Sequence, residues 1–500
     1  MSKKYYYSNL LERFLNKPKN DFNRDDIIRY ILNNEISIMN FHYVGGDGRL
    51  KSLNFPVESR KQLETVLSAG ERVDGSSLFK NIETGSSDLY VVPKYRTCFY
   101  NPFSEIPAIG LLCRYFDKDG TYTENTPDNI LLKANQAFTE KTGYTLEVMG
   151  ELEYYVISEK EQYFYAKDQR GYHESPPFTK WECIRNEAIV ILTEMGCKLK
   201  YGHSEVGNFS DENFNYEQNE LEFMPVNLEQ AAEELILGKW VLRNIACQYD
   251  VNLSFAPKIA TGKAGSGMHV HMRVLKDGKP VMGKSEELSD VAIKSIAGIL
   301  ELSPSLTAFG NTVPVSYLRL VPHQEAPTNI CWGYGNRSAL VRVPLGWTGN
   351  AGNMIKTTNP DTISDIEIDA EEKRTFEFRC PDGSADLYLL IAGLAVAARH
   401  GIESENAIQY AKDNFIDVNI FKEENKEILK KLKQLPGSCS ESADYLLQQK
   451  DIYTKYGVFS EEIIKSIAKT LKSYNDKGLS EKLYGKHDQI KALVDNYIDC

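Results

Sequence analysis

The chain has 500 residues, of which 42% are hydrophobic and 11% aromatic, and it carries a formal net charge of −12. This composition is typical of a globular protein with a large core and a length sufficient for about three domains. The acidic balance, without a basic stripe that could neutralise phosphates, argues against nucleic-acid binding.

The sequence contains no segment that predicts secretion or membrane insertion. Its first 20 residues have no apolar stretch followed by a small-residue cleavage site. The longest apolar run, residues 387–398, is well short of the ~20 residues that span a bilayer and predicts a core helix. The nine cysteines are scattered and never form a CxxC pair, which favours free thiols in a reducing compartment. We therefore expect a cytoplasmic protein that binds neither membranes nor nucleic acids.

Taken in chain order, the sequence predicts an N-terminal extension over residues 1–35 and a small β-rich domain over residues 36–120. Short apolar runs in this second stretch are separated by turn signals, with one helix over residues 59–70. These features favour a compact domain that is distinct from the longer region after it.

The remaining residues, 121–500, are predicted to form a large catalytic domain. One helix should run from Thr126 to Gly143 and another from Asn227 to about Gln248, since each begins at a capping residue. The last ~100 residues carry Lys and Glu at helical spacing, which predicts a helical C-terminal region. The fold class is therefore predicted to be α+β.

Four segments with the character of buried strands carry acidic or imidazole side chains. Alternate residues of a strand face the same side, so Glu151 and Glu153 share one face. Charged residues are rarely buried unless they are paired or bound to a metal. A solvated sheet face would explain any one segment, but four together predict a multi-metal cavity. The set comprises Glu151, Glu153, Glu205, Glu220, His269 and Glu377.

A set of arginines accompanies these carboxylates: Arg319, Arg337, Arg342 and Arg379. Arginine binds phosphate and carboxylate groups in a bidentate manner and keeps its charge, although a single arginine more often serves a structural ion pair. Carboxylates beside arginines, with no sulfur ligands, indicate Mg²⁺ or Mn²⁺ chemistry on phosphates. The sequence has neither a P-loop nor a kinase-type glycine loop leading to a catalytic HRD.

Seven sequence blocks together resemble the signature blocks of the glutamine synthetase family. In chain order they are DGSS (residues 74–77), GELEYY, HSEV with QNE, GSGMHVHM, RLVPHQEAP, NRSALVRVP and EFRCPD, and the resemblance covers about residues 36–470. It implies an N-terminal β-grasp domain followed by a catalytic domain built on a curved antiparallel sheet flanked by helices. It also implies a homo-oligomeric ring, with a dodecamer favoured, whose active sites lie at subunit interfaces.

The activity that this resemblance implies is ATP-dependent ligation of ammonia to L-glutamate. The reaction would pass through a γ-glutamyl phosphate and give glutamine, ADP and phosphate. Two or more Mg²⁺ or Mn²⁺ ions would assist it.

The resemblance also implies a role for each matched residue. One ion would be held by Glu153, Glu205 and Glu220, and the other by Glu151, His269 and Glu377. ATP would contact His271, Arg337 and Arg342, while Gly265, Arg319 and Arg379 would bind glutamate. Arg337 and Arg379 would act in catalysis, together with Glu325 as a flap over the site and Asp74 as the base for ammonium from a neighbouring subunit.

The sequence departs from the family pattern around the substrates. The altered positions are Ala264, Arg273, Ser204, Thr375 and the triplet Asp386-Leu387-Tyr388, and 15 positions separate Glu205 from Glu220. Two alternatives therefore remain open. One is a γ-glutamyl ligase for a larger amine, a polyamine or a monoamine, and the other is a catalytically silent relative with a structural or regulatory role. The intact ligand set argues against the silent relative, because buried carboxylates are costly without a metal.

Overall fold

The computed structural model describes residues 8–82, 85, 87–163, 166–283, 287–321, 326–346, 351–361 and 373–500. Within these residues the strands form two sheets, one of six strands near the N-terminus and one of ten strands in the larger region. The predicted boundary near residue 120 falls between the last strand of the first sheet and the first helix of the second region.

The N-terminal domain is a sheet with helices packed on it. Its elements are α1 (Leu10–Leu15), α2 (Arg24–Asn33), β1 (Ile38–Val44), β2 (Leu50–Pro56), α3 (Arg60–Ala69), β3 (Glu71–Asp74), α4 (Gly75–Leu78), β4 (Asp88–Pro93), β5 (Phe99–Tyr100) and β6 (Ala108–Phe116). The strand order is β2-β1-β6-β4-β3, with β5 paired to β6, and β1 runs parallel to β6. Residues 8–35 belong to this fold, since Leu11 and Ile27 lie in its hydrophobic core.

The larger domain surrounds a mixed sheet. Its first half contains α5 (Pro127–Thr142), β7 (Thr145–Glu159), α6 (Glu182–Glu194), β8 (Leu199–Ser210), β9 (Phe214–Phe223), β10 (Val226–Asn227), α7 (Leu228–Gln248), β11 (Asn252–Ser254), β12 (Met268–Lys276) and β13 (Lys279–Pro280). The main strand order is β14-β15-β16-β12-β7-β9-β8. The predicted α+β fold is confirmed. The pairings along this sheet are antiparallel except that β14 and β15 run parallel, which agrees with the sheet that the family resemblance implied.

The second half of this domain is mainly helical. It contains α8 (Asp290–Gly310), α9 (Ser316–Arg319), β14 (Trp332–Tyr334), β15 (Val341–Val343), α10 (Ala351–Thr358), β16 (Phe376–Phe378), α11 (Leu387–Glu403), α12 (Ala407–Asp413), α13 (Lys426–Leu429), α14 (Cys439–Gln448), α15 (Lys450–Thr454), α16 (Glu461–Ser473), α17 (Leu479–Leu483) and α18 (His487–Asp495). The apolar run at residues 387–398 lies inside α11 and is buried, as a core helix should be.

Helices α8 and α11 cross with their backbones in contact. A Cβ atom at Gly298 would lie 1.9 Å from the carbonyl oxygen of Ala397, so only glycine permits this approach. Within the described part of the chain, α8 is the one helix with the length and composition of a membrane span, and 78% of its apolar window is buried inside the protein.

Helix α7 covers one face of the sheet and leaves the other face for polar groups. A Cβ atom at Gly150 on β7 would lie 2.6 Å from Leu235 of α7, so glycine allows the helix to pack closely. Leu152 and Tyr154 point to this covered side and are fully buried. Because strand side chains alternate, Glu151 and Glu153 point to the opposite face.

Candidate active site

Strand pairing places the predicted acidic residues in two rows on the open face of the sheet. In the first row Tyr201, Glu222, Glu151 and His269 lie directly opposite one another on β8, β9, β7 and β12. In the second row His203 lies opposite Glu220, which lies opposite Glu153. Directly opposed side chains share a face with Cβ atoms about 4.5–5.5 Å apart, so register alone concentrates the negative charge.

The first cluster contains Glu151, His269 and Glu377, whose candidate ligand atoms all lie within 4.8 Å of one another. His269 Nδ1 is 3.0 Å from Glu151 Oε2 and 3.4 Å from Glu377 Oε1. This is the trio that the sequence predicted as one metal site, and the fold brings it together from three strands.

The second cluster differs from the predicted trio of Glu153, Glu205 and Glu220. The structure groups Glu220 with His203 and Glu222, again with ligand atoms within 4.8 Å. His203 Nε2 is 3.1 Å from Glu220 Oε2, and its Nδ1 is 3.7 Å from Glu205 Oε1. Glu222 is two residues from Glu220, so the strand period would have placed it on the same face.

Glu153 also lies at this site, beside a glycine-rich loop formed by residues 265–267. Its Oε2 accepts hydrogen bonds from the backbone N–H of Gly267 at 2.6 Å and from Gln218 Nε2 at 3.3 Å. Its Oε1 lies 4.0 Å from His269 Nε2. Glu153 therefore stands between the two clusters.

Burial and charge repulsion set the electrostatics of the site. Burial, followed by repulsion from Glu151, Glu153, Glu205 and Glu222, raises the pKa of Glu220 well above its usual value. Burial also opposes the ionisation of Glu151. The neighbouring imidazole rings of His271 and His269 have the stronger, opposite effect and hold the pKa of Glu151 well below the usual range. The site thus concentrates carboxylates that cations would stabilise.

The donor set fits hard divalent cations. It consists of carboxylate oxygens and imidazole nitrogens, with no thiolate among the described candidate ligands. Such ligands suit Mg²⁺ and Mn²⁺ rather than the metals that prefer sulfur. Buried carboxylates repel one another, and a divalent cation bound between them would lower the free energy of the folded chain.

Two of the predicted arginines contact Glu377. Arg342 Nη1 is 3.1 Å from Glu377 Oε2, and Arg379 Nε is 3.0 Å from Glu377 Oε1. Arg337 lies in an exposed turn before β15, and its carbonyl oxygen accepts a hydrogen bond from Arg379. The fold therefore brings Arg342 and Arg379 together at the first cluster.

Arg319 lies beside the glycine-rich loop, at the end of α9. It is buried and donates to the carbonyl oxygen of Cys380 at 2.8 Å. A Cβ atom at Gly267 would lie 2.5 Å from its Nη2, and one at Gly265 would lie 2.9 Å from its Cγ. The glycines make room for the Arg319 side chain, and Gly265 therefore lies next to Arg319.

Asp74 lies in the N-terminal domain, at the end of β3. It is exposed, and it accepts hydrogen bonds from the hydroxyls of Ser76 and Ser77, each at 2.7 Å. The hydroxyls of Ser77, Ser76 and Ser87 lower the pKa of its carboxyl group. The predicted flap residue Glu325 lies outside the described residues.

The extra residues between Glu205 and Glu220 lengthen the β8–β9 hairpin. Asp211 accepts from the N–H groups of Asn213 and Phe214 and stabilises the turn. Glu217 accepts from Thr179 Oγ1 at 2.6 Å and from the N–H of Trp181 at 2.9 Å. Both carboxylates are therefore engaged in structural hydrogen bonds.

His271 connects the first cluster to a position where the sequence departs from the family pattern. Its Nε2 is 2.8 Å from Glu151 Oε1, and its Nδ1 is 2.9 Å from Thr375 Oγ1. Burial tends to lower the pKa of His271, but the attraction of the Glu151 carboxylate is the stronger effect and raises this pKa.

Ala264 is another position at which the sequence departs from the family pattern. Its carbonyl oxygen accepts a hydrogen bond from Tyr155 Oη.

The sequence matches known proteins along most of its length. The glutamine synthetase β-grasp domain matches residues 35–118, and the glutamine synthetase catalytic domain matches residues 124–477. The glutamine synthetase of Clostridium saccharobutylicum is 30% identical over 436 residues, which cover 85% of this chain and 89% of that protein. The glutamine synthetase of Thermococcus kodakarensis is 30% identical over 417 residues, which cover 82% and 84% of the two chains.

Solved structures show the same fold at lower identity. The Plasmodium falciparum glutamine synthetase has a TM-score of 0.73 at 19% identity and covers 93% of this chain and 97% of its own. A structure of GmaS without ligand has a TM-score of 0.71 at 17% identity and covers 89% and 95%.

Proposed function

Because the chain belongs to the glutamine synthetase family and is a carboxylate–amine ligase, we propose that it ligates ammonia to L-glutamate at the expense of ATP. The products would be glutamine, ADP and phosphate, and the intermediate a γ-glutamyl phosphate. The observation that carries this proposal is the convergence of Glu151, His269 and Glu377 with Arg342 and Arg379 at one face of the sheet.

The acidic clusters support a role in cation binding. In this proposal Glu151, His269 and Glu377 hold one Mg²⁺ or Mn²⁺ ion, and Glu153, Glu205 and Glu220 hold another beside His203 and Glu222. Bound ions of this kind supply charge stabilisation for phosphoryl transfer. The carboxylates also orient the imidazole rings of His269 and His271, which contact Glu151.

The arginines support the handling of anionic substrates. Arg319 is held rigidly by backbone carbonyl groups beside Gly265, so these residues can bind the glutamate carboxylate at fixed geometry. Arg337, Arg342 and Arg379 offer fixed positive charge where charge develops on the transferring phosphoryl group. His271 joins Arg337 and Arg342 in contacting ATP.

The chemistry proceeds in two steps. The γ-carboxylate oxygen of glutamate attacks the γ-phosphorus of ATP, and ADP leaves with the bonding electrons. Ammonium then loses a proton to Asp74 of a neighbouring subunit, and the resulting ammonia attacks the acyl carbon. A C–N bond forms, the C–O bond to phosphate breaks, phosphate leaves with the electron pair, and the nitrogen loses a second proton to water. Glu325 closes the site against water, which would otherwise hydrolyse the acyl phosphate. This use of Asp74 requires the homo-oligomeric ring, for which we favour a dodecamer.

A phosphate-release assay tests the proposal. We expect phosphate release only when ATP, glutamate, ammonium and Mg²⁺ or Mn²⁺ are all present, with glutamine formed in equal amount. Hydroxylamine in place of ammonium should trap the acyl phosphate as γ-glutamyl hydroxamate. No turnover with ammonium or with any amine would refute the proposal and favour the catalytically silent relative.

A further inference from the structure

A cavity of about 690 Å³ lies between the N-terminal domain and the helices of the catalytic domain. Its walls come from the β1–β2 turn, the segment around α4, the helices α7, α11 and α16, and residues 496–500. This volume is within the range of about 300–1,000 Å³ that small-molecule sites occupy. The described residues that line it include none of the predicted metal ligands or arginines, so it is separate from the active site.

Three basic side chains from the two domains meet in this cavity. Lys239 and Arg243 lie about one turn apart on α7, and Lys239 Nζ and Arg243 Cζ are each 5.0 Å from the centroid of the Phe255 ring. Arg49, from the β1–β2 turn, shares an acceptor with Arg243, since both donate to the carbonyl oxygen of Asp499 at 3.1 Å. Positive charges of both domains are therefore concentrated at their boundary.

The acceptors of these three side chains in the described part of the chain are backbone carbonyl oxygens. Lys239 Nζ donates to that of Gly383 at 2.6 Å, and Arg243 donates to that of Cys500 as well. Among the described residues, no aspartate or glutamate oxygen lies within 4.0 Å of a side-chain nitrogen of the three. An ammonium group has three donors and a guanidinium group five, so these carbonyl groups do not use all of them.

Burial and neighbouring positive charge disfavour the ammonium form of Lys239. Burial, followed by the charge of Arg243, lowers the pKa of Lys239 to about 7, although Cys500 and Asp382 act in the opposite direction. Arg49 adds to the repulsion. A bound anion would favour the charged form of the lysine, so the electrostatics of the cavity suit an anionic ligand.

Apolar side chains line the cavity where α11 and α16 border it. They include Leu389 of α11 and Ile463 and Ile467 of α16. A further basic residue of the wall, Lys51, already has a partner, since its Nζ is 2.5 Å from Asp47 Oδ2. A ligand with one anionic group and an apolar body would therefore match both kinds of surface.

Water in a gap between two domains is the simplest explanation of the cavity. Solvent would hydrate the cations and weaken their repulsion, but it would not compensate their net charge. An anion that contacts Arg49 and Lys239 together would compensate charges of both domains and link them. The position of the basic groups on two domains therefore favours a bound anion over solvent alone.

We propose that this cavity binds a small organic anion, whose carboxylate or phosphate group contacts Lys239, Arg243 and Arg49 and whose apolar part packs against α16. Guanidinium groups bind either kind of anion in a bidentate manner. The site lies outside the active site, so this inference goes beyond the proposed function and does not depend on it.

Calorimetric titration of the full chain with phenyl phosphate and with phenylacetate tests the site. The two probes distinguish a phosphate group from a carboxylate group, and phenol has the ring without the charge. We expect at least one anion to bind with a Kd of about 1 mM or below. Phenol should not bind.

Three variants show which residues hold the probe. Lys239→Met should weaken binding about tenfold or more, since it removes one charge-assisted contact at nearly constant shape. Lys198→Met is the matched control, because Lys198 is an exposed lysine outside the cavity, and it should bind the probe as the wild type does. Arg342→Gln alters the active site instead and should also leave the Kd unchanged.

Alkylation of Cys500 reports where the probe binds. Cys500 lines the cavity, whereas Cys183 is exposed and lies elsewhere. Iodoacetamide labelling followed by peptide mass spectrometry should show that bound probe slows the modification of Cys500 severalfold and leaves that of Cys183 unchanged. This measurement uses the wild-type protein, so it stands even if a variant fails to fold.

Three outcomes would overturn the site. They are the absence of binding by both anions, a Kd that Lys239→Met leaves unchanged, and binding that gives Cys500 no protection. Loss of binding in Arg342→Gln would assign the anion to the active site and would overturn the proposal as well. Failure of the proposed function would appear as absent phosphate release, which none of these binding measurements involves.

Discussion

Thr375 Oγ1 lies 2.9 Å from Nδ1 of His271 and fixes the orientation of the ring that contacts Glu151. Both residues are buried, so no water competes for this hydrogen bond. The Glu151 carboxylate raises the pKa of His271, and a protonated ring would donate to Glu151 through Nε2 and to Thr375 through Nδ1. Thr375 is therefore a positioning residue for His271.

Replacing Thr375 by Val should remove this constraint with little change in shape. We expect kcat/KM for ATP to fall about 10–100-fold, as for other residues that orient active-site ligands. The loss should appear mainly in the KM for ATP, while Thr375→Ser, which keeps the hydroxyl, should restore it. A Thr375→Val enzyme with an ordinary KM for ATP would contradict the positioning role.

Glu377→Gln should abolish turnover and leave the fold intact. Glu377 is 1% exposed and accepts from two arginines, so an amide would present N–H groups to donors and lose the charge that holds a cation. We expect at least ~10²-fold loss of phosphate release with an unchanged far-UV circular dichroism spectrum. Glu301→Gln is the control, because Glu301 lies on α8 outside both clusters, and its rate of phosphate release should be near that of the wild type. Near-normal activity of the Glu377→Gln enzyme would count against a role of Glu377 as a metal ligand.

Glu220→Gln should stabilise the metal-free protein and weaken its response to metal. The pKa of Glu220 is raised in the folded state, so the folded chain binds more protons than the unfolded chain, and stability falls as pH rises through that range. Thermal denaturation at pH 8 should show a higher Tm for metal-free Glu220→Gln than for the wild type. The increase in Tm on adding Mn²⁺ should be smaller in the variant. A lower metal-free Tm would be evidence that repulsion at Glu220 is unimportant.

The sequence predicted the acidic face well because strand alternation and pairing create it. Alternation placed Glu151 and Glu153 on one face, while the family resemblance grouped Glu151 with His269 and Glu377, and the structure brings the candidate ligand atoms of these three within 4.8 Å of one another. Glu205 could not be placed in the same way, since the pairing of β8 with β9 shifts register between Ser204 and Asn208. Alternation does not hold across such a shift, so side-chain direction there depends on the fold.

His203 was missed as a partner of Glu220 for a related reason. It lies on β8, and only the register of β8 on β9 places it opposite Glu220, whereas Glu222 shares a strand and a face with Glu220. The 15 positions that separate Glu205 from Glu220 belong to the same β8–β9 hairpin, whose turn spans residues 211–213. Two carboxylates in this stretch, Asp211 and Glu217, accept hydrogen bonds within the fold. Local sequence cannot distinguish such structural carboxylates from ligands.

Asp386→Asn should raise stability at neutral pH. Asp386 caps α11 by accepting from the N–H of Leu389 at 3.0 Å, and burial raises its pKa to about 6. The folded chain therefore binds this proton more tightly than the unfolded chain, and stability decreases as pH rises from about 4 to about 6. Asparagine caps a helix equally well without a charge.

The gain for Asp386→Asn should be about 1–3 kcal/mol at pH 8 and should vanish toward pH 4. Chemical denaturation of both proteins at several pH values measures it. Asp451→Asn is the control, because its side chain is 90% exposed, and it should show no pH-dependent difference. A gain that is constant with pH would mean that the charge of Asp386 is not its cause.

Mixing two inactive variants tests whether the active site is shared between subunits. Asp74 hydrogen-bonds within its own turn in the N-terminal domain, whereas Glu377 lies on the sheet of the catalytic domain. If Asp74 acts in a neighbouring subunit, Asp74→Asn and Glu377→Gln chains should each be inactive alone. When the two chains are denatured together in equal amounts and refolded, they should recover about a quarter of wild-type activity. At a head-to-tail interface one chain supplies Glu377 and its neighbour supplies Asp74, and both are intact in about a quarter of the randomly assembled sites.

Each variant refolded alone controls for revertant activity, and light scattering confirms the assembly. Mixed oligomers without activity would show that both residues serve one chain, whereas a monomer at working concentration would exclude the shared site altogether.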